Sequence, residues 1–172
     1  ASDARGVVYC YRWTATLALV LLKQTCIAPG VPVTCVCYRA WLHARQRCPE
    51  LLCTCADGRL RLFNVLDAPA GKLQLRATLP IKCSTKPVRS AFCPLISSRP
   101  GSCVVSGSED GSVLIFDVER PASPCVNVLM GHASTVLDVA WCYDESMLAS
   151  GDEDGMVILW KRVKMESRGM AK

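Results

Sequence analysis

The sequence predicts an all-β protein built from repeated four-stranded antiparallel sheets. Three observations carry that expectation. A glycine followed five residues later by an aromatic recurs at Gly6–Tyr11, Gly58–Phe63, Gly111–Phe116 and Gly155–Trp160. An acidic turn precedes each glycine, as Asp3-Ala-Arg-Gly6, Asp57-Gly58, Asp110-Gly111 and Asp154-Gly155. The glycines lie 52, 53 and 44 residues apart, the spacing of a structural repeat.

Each element follows from local chemistry. Gly6–Tyr11 reads as the third strand of a sheet. Ala15–Lys23 (ATLALVLLK) reads as its fourth, a nearly unbroken apolar run suited to a strand buried on both faces. That run is shorter than the roughly 20 residues of a membrane helix, and it lacks a secretory leader's basic start and cleavage context. The next sheet takes Val33–Tyr38, Leu51–Cys55, Gly58–Phe63 and Leu73–Ile81. A third takes Val88–Cys93, Cys103–Ser106, Gly111–Phe116 and Cys125–Met130, and the last takes Val136–Trp141, Met147–Ser150 and Gly155–Trp160. Asp-Gly closes the hairpins, because glycine tolerates positive φ and aspartate bonds its own backbone. Ala40–Arg47 reads as a long loop. The units are then residues 1–30 (the end of a blade), 31–82, 83–130, 131–161 (without an outer strand) and a basic tail at 162–172.

Composition agrees with a packed core. Apolar residues make up 51% of the 172 positions and charged residues 20%, which excludes a disordered chain. Of the twelve cysteines, Cys10, Cys35, Cys37, Cys53, Cys55, Cys93, Cys103 and Cys142 lie in strand-like apolar runs, where thiols behave as small hydrophobes. A reducing compartment, nuclear or cytoplasmic, is expected. Four of the five net positive charges fall in residues 161–172, so the body is nearly neutral.

Sheets repeating every 44 to 53 residues match radially packed blades, a β-propeller. The final repeat shows the pattern most fully. Gly131-His132, Leu148-Ala149-Ser150-Gly151, Asp154 and Trp160-Lys161 together resemble the WD-repeat family. The resemblance implies a structural network in which Trp160 donates its indole N–H to Ser150, Ser150 meets His132, and Asp154 holds the other imidazole nitrogen. Thr54, Asp57, Gly58 and Phe63 stand for this set in the second copy, and Ser106, Asp110, Gly111 and Phe116 in the third, with Gly155 closing the last turn. Neither earlier copy opens on Gly-His, and Phe has no N–H to donate. The resemblance also implies seven blades, on the order of 300 residues. About three and a quarter are expected here. The chain starts at Ala1 rather than Met and reads as a piece of a longer protein, with an apolar blade face left open.

Other chemistry fits these residues less well. His132, Ser150 and an aspartate suit a hydrolase, but a nucleophile must be exposed, and Ser150 lies inside a hairpin expected to be buried. His43, the other histidine, has no matching nucleophile pattern. No catalytic residue is expected. Cys35-Val-Cys37 and Cys53-Thr-Cys55 place sulfurs at i and i+2, and neighbouring strands would then cluster four of them. Zinc prefers Cys-x2-Cys on a turn, so packed thiols and no metal are expected. The acidic turns at Glu109, Asp110 and Asp152–Asp154 offer too few convergent oxygens for calcium. Phe116-Asp117-Val118-Glu119-Arg120 only approximates a Trp-Asp-x-Arg box for cullin ligases, with Phe for Trp and the Arg one place late. No phosphate-binding glycine loop is present.

The function expected is a non-catalytic scaffold whose partners are other proteins, with no cofactor, small-molecule substrate or membrane. The inserts Leu42–Glu50 and Ser97–Gly101 are the expected contact loops. The alternatives are a chromatin-associated subunit touching nucleic acid through the basic tail, or a cullin-ligase substrate receptor.

Overall fold

The computed structural model describes residues 1–40, 48–67, 71–94 and 103–162. The loop read at 40–47, the insert at 97–101 and the tail beyond Arg162 fall almost wholly outside them. Among the described residues the chain forms thirteen strands and no helix, and none of it is a helix able to cross a membrane.

β1 (Val7–Trp13) and β2 (Leu19–Cys26) make the first sheet. β3 (Val33–Arg39), β4 (Glu50–Cys55), β5 (Arg59–Asp67) and β6 (Lys72–Pro80) make the second, each strand beside its sequence neighbour. β7 (Ser90–Phe92), β8 (Cys103–Gly107), β9 (Ser112–Asp117) and β10 (Cys125–Met130) make the third. β11 (Val136–Trp141), β12 (Met147–Asp152) and β13 (Val157–Lys161) make the fourth. Every pairing is antiparallel.

The period of two along each strand distributes side chains to both faces, and the sheets stack through them. Val8, Ala28, Val33, Cys53, Cys55 and Phe63 fill the space between the first and second sheets. Leu52, Leu60, Leu62, Val88, Val104 and Phe116 lie between the second and third. Val105, Val113, Val136, Val139 and Leu148 lie between the third and fourth. Adjacent residues thus serve opposite neighbours: Leu52 faces one way and Cys53 the other. Each fully buried leucine here stabilises by about 2–3 kcal/mol.

Polar contacts add to the stacking. The Thr34 hydroxyl donates to the Val88 carbonyl at 2.9 Å, and the buried hydroxyls of Thr54 and Ser90 meet at 2.6 Å. The Arg39 guanidinium lies 4.1 Å from the centre of the Phe92 ring. Glu50, 2% exposed, is held by Arg39 and Arg76, and Arg76 reaches on to Glu119 of the third sheet. Of these ion pairs, Arg76–Glu119 joins the second sheet to the third.

Four expectations need correction. The second strand begins at Leu19 rather than Ala15. Thr14–Ala18 is the turn, closed by the Thr14 N–H on the Ala18 carbonyl at 2.9 Å, with Leu17 at a φ of 60°. That strand is not buried on both faces either: Leu19 is 55% and Leu21 42% exposed, because the first sheet has a described neighbour on one side alone. The insert expected at Leu42–Glu50 is shorter, since Glu50 opens β4 inside an ion-pair cluster. Finally, the four sulfurs do not cluster. Cys35 pairs with Thr54 and Cys37 with Leu52, whereas Cys53 pairs with Val36, so the two cysteine pairs project from opposite faces of one sheet. Among the described residues no group of three or more metal-ligating side chains converges.

Candidate functional site

The polar centre of the fourth sheet is assembled from a loop, a hairpin and an aromatic strand. Gly131-His132 precede β11. A Cβ on Gly131 would sit 2.9 Å from the Trp160 ring, so only glycine lets that backbone pass against the indole. His132 then enters the sheet. Its Nε2 lies 2.7 Å from the Ser150 Oγ and its Nδ1 lies 2.8 Å from Asp152 Oδ2. The Trp160 indole N–H donates to the same Ser150 Oγ at 2.7 Å.

One proton arrangement satisfies every atom. A carboxylate only accepts, so Nδ1 carries the imidazole proton and donates to Asp152. The neutral Nε2 accepts the Ser150 hydroxyl, whose oxygen accepts the indole N–H. The other Asp152 oxygen accepts the N–H groups of Asp154 at 3.1 Å and Met156 at 2.9 Å. Burial pushes the Asp152 carboxyl up. The His132 bond and the Met156 and Asp154 N–H groups outweigh this, and the group titrates below its ordinary range.

The sequence reading assigned the wrong aspartate. Asp154 is exposed and caps the turn through its own backbone N–H, while Asp152 holds His132. Asp152 stands three residues before Gly155, as Asp3 stands three before Gly6. Asp3 accepts the N–H groups of Arg5 and Val7, both at 2.9 Å, the same i+2 and i+4 pattern. The acid three places before the glycine was the usable signal.

The degraded copies shift accordingly. Ser106 pairs with Leu114, three residues after Gly111, just as Ser150 pairs with Ile158, three after Gly155. In the second sheet that place belongs to Cys53, paired with Arg61. Thr54 is one residue out of phase and turns its hydroxyl to Ser90 of the next sheet. Asp57 instead makes two bonds to Arg61, at 2.9 and 2.6 Å. Asp110 accepts from Ser112 and pairs with Lys82 at 2.9 Å. Gly111 has a φ of +79°, and a Cβ there would lie 2.8 Å from the His132 carbonyl. Phe63 and Phe116 are 6% and 1% exposed and occupy the side of their sheets that Trp160 occupies in the last. Ser106 donates to the Gly107 carbonyl at 2.8 Å.

The third sheet has an anchor that sequence reading missed. Glu109 accepts backbone N–H groups from Ser84, Thr85 and Lys86 at 2.7, 2.6 and 2.8 Å. Desolvation raises this carboxyl, but the three N–H bonds prevail and bring it down to about 2. Loop and hairpin are thereby joined through main chain rather than imidazole.

The distances along Ser150, His132 and Asp152 would suit acyl transfer. Access decides against that. The His132 and Asp152 side chains are 0% and 1% exposed, Ser150 is 2% exposed, and the Ser150 oxygen already takes the indole N–H. The arrangement joins the loop before the sheet to two of its strands.

Four antiparallel sheets packed face to face in chain order, with first strands β3, β7 and β11 side by side, define a β-propeller-like fold. The model described as "WD domain, G-beta repeat" matches residues 75–117 and 123–161. The chain is 30% identical over 127 residues to the "Probable cytosolic iron-sulfur protein assembly protein CIAO1 homolog" of Caenorhabditis elegans, covering 72% of this chain and 36% of that protein. It is 28% identical over 118 residues to "Denticleless protein homolog B" of Xenopus laevis, covering 65% of this chain and 15% of that one. A chain in "Crystal Structure of Mitotic Checkpoint Complex" superposes with a TM-score of 0.58 at 23% identity, over 93% of this chain and 44% of that chain. The protein thus spans about a third of the CIAO1 homologue and less of the Denticleless homologue.

Proposed function

We propose that this chain is part of a non-catalytic scaffold that holds loops rigidly for contact with other proteins. One observation supports it above others: the polar cluster that resembles a hydrolase centre is sealed, and its members brace the fold. The similar chain from a mitotic checkpoint complex works within an assembly, as its description says. The segments LQLRATLPIKCSTKPVRSAFCPL and TVLDVAWCYDESMLASGDEDGMVILWKR also look like the C-terminal half of WD repeat-containing protein 13, the finer kinship we favour. That kinship implies a seven-bladed protein of the nucleus or cytoplasm that acts through protein contacts.

The test separates binding from chemistry. Residues 42–48 and 97–101 are replaced by Gly-Ser linkers of equal length, and proteins captured from cell extract are compared with the unaltered chain. The expected outcome is a reduced captured set with unchanged circular dichroism and melting. An unchanged set removes these loops as the contact surface. Labelling of Ser150 by a fluorophosphonate probe would overturn the non-catalytic reading.

A further inference from the structure

We propose that Cys93 and Cys103 form a reversible cross-strand disulfide when the folded chain meets a low-molecular-weight disulfide such as oxidised glutathione. β7 and β8 pair Ser90 with Ser106, Ala91 with Val105 and Phe92 with Val104. One step further, the ladder sets Cys93 opposite Cys103, and the Cys93 N–H donates to the Cys103 carbonyl at 3.0 Å. The two thiols are also hydrogen-bonded to each other. Both residues are half-buried, so a small oxidant can reach them.

The ladder geometry fits a bridge, with some tension. Hydrogen-bonded antiparallel pairs hold their Cα atoms about 5.5 Å apart, within the roughly 4.4–6.8 Å of disulfides. Cross-strand Cβ atoms stand about 4.5–5.5 Å apart, a little wider than the roughly 3.5–4.5 Å that a disulfide takes. The strands must draw together slightly, and strained bridges are the readily reduced ones. Such a bond switches rather than staples.

Other thiols are engaged differently. Cys35 donates to the Ser90 carbonyl at 3.6 Å, Cys83 to the Lys86 carbonyl at 3.4 Å and Cys125 to the Asn127 carbonyl at 3.7 Å. Cys53 and Cys55 are 0% exposed. Cys93 is held well above the ordinary thiol range, first by its bond to Cys103 and then by burial.

The exchange balances. One of the two cysteines, as its thiolate, attacks one sulfur of glutathione disulfide, that S–S bond breaks, and one glutathione thiolate leaves. The other then yields its proton to solvent, and its sulfur attacks the first cysteine's sulfur and expels the second glutathione. Two protein thiols lose two electrons, and one glutathione disulfide gains them.

The experiment uses the reduced, folded chain. It is equilibrated with graded ratios of reduced to oxidised glutathione, quenched in acid, alkylated, digested and mapped by mass spectrometry. The expected result is a Cys93–Cys103 linked peptide at ratios that leave Cys53 and Cys55 alkylated, and its disappearance with dithiothreitol. In Cys93→Ser, the link should be replaced by a glutathione adduct on Cys103. A link seen only in urea, separate glutathione adducts on the two cysteines of the unaltered chain, or a bridge from either to another cysteine would overturn the proposal.

Discussion

The third and fourth sheets meet the same mechanical demand with different chemistry. Each must fix the loop before its first strand to the hairpin between its second and third. The fourth does so with buried side chains, His132 on Ser150 and Asp152, closed by Trp160. In the third, Ser108 stands where Asp152 does, two residues beyond the matched serine, and Glu109 grips three main-chain N–H groups instead. A side-chain network depends on four residue identities. A carboxylate on backbone depends on one, because every residue except proline offers the N–H. The third sheet can therefore lose the repeat signature and keep its tether.

Breaking the comparison should begin at His132. His132→Ala removes a fully buried ring and leaves the Ser150 hydroxyl without its acceptor, and we expect a loss of about 2–4 kcal/mol in urea unfolding. Ser84→Ala, at the third sheet's tether, should change stability by less than about 0.5 kcal/mol, since its N–H still reaches Glu109. Trp160→Phe gives the fourth sheet the aromatic that the second and third carry. It removes one N–H bond, worth about 1 kcal/mol, readable as a lower melting temperature with the same circular dichroism.

Acid sharpens the contrast. The Glu109 carboxyl is lower in the folded chain than in the unfolded one, so its contribution is present above the ordinary value of 4.5 and is lost as pH falls towards about 2. Amide exchange at Ser84–Lys86, corrected for its intrinsic pH dependence, should lose protection over that window. Asp152 has the same sign, and its contribution too should fade below the ordinary carboxylate range. The smallest effect belongs to the aspartate that sequence alone favoured: Asp154→Asn should alter stability by less than about 0.5 kcal/mol, and Asp152→Asn by clearly more, in paired melts.

What sequence showed and missed follows from which signals are local. A glycine, an aromatic five residues on and flanking β-branched runs specify a hairpin by neighbouring residues alone, and the strands from β3 to β13 lie close to those runs. Side-chain partners depend on phase. Thr54 looks like Ser150 in composition, yet one residue of displacement on a strand sends its hydroxyl to the opposite face. Asp154 adjoins the glycine and drew attention, but a carboxylate that must accept from i+2 and i+4 has to sit where Asp152 does. Glu109 left no motif, because its acceptance of main-chain N–H groups requires nothing particular of Ser84, Thr85 or Lys86. The apolar run before β2 misled for a further reason: hydrophobicity reports what would favour burial, whereas Leu19 and Leu21 have no described neighbour over them.

The two-stranded first sheet has a kinetic consequence. It meets its neighbours through one packed layer, while the second and third sheets are each clasped by two. Opening β1 and β2 breaks one layer, and opening β3–β6 breaks two. Amide exchange in β1 and β2 should therefore outpace that in β4 and β5, whose two faces both carry buried side chains.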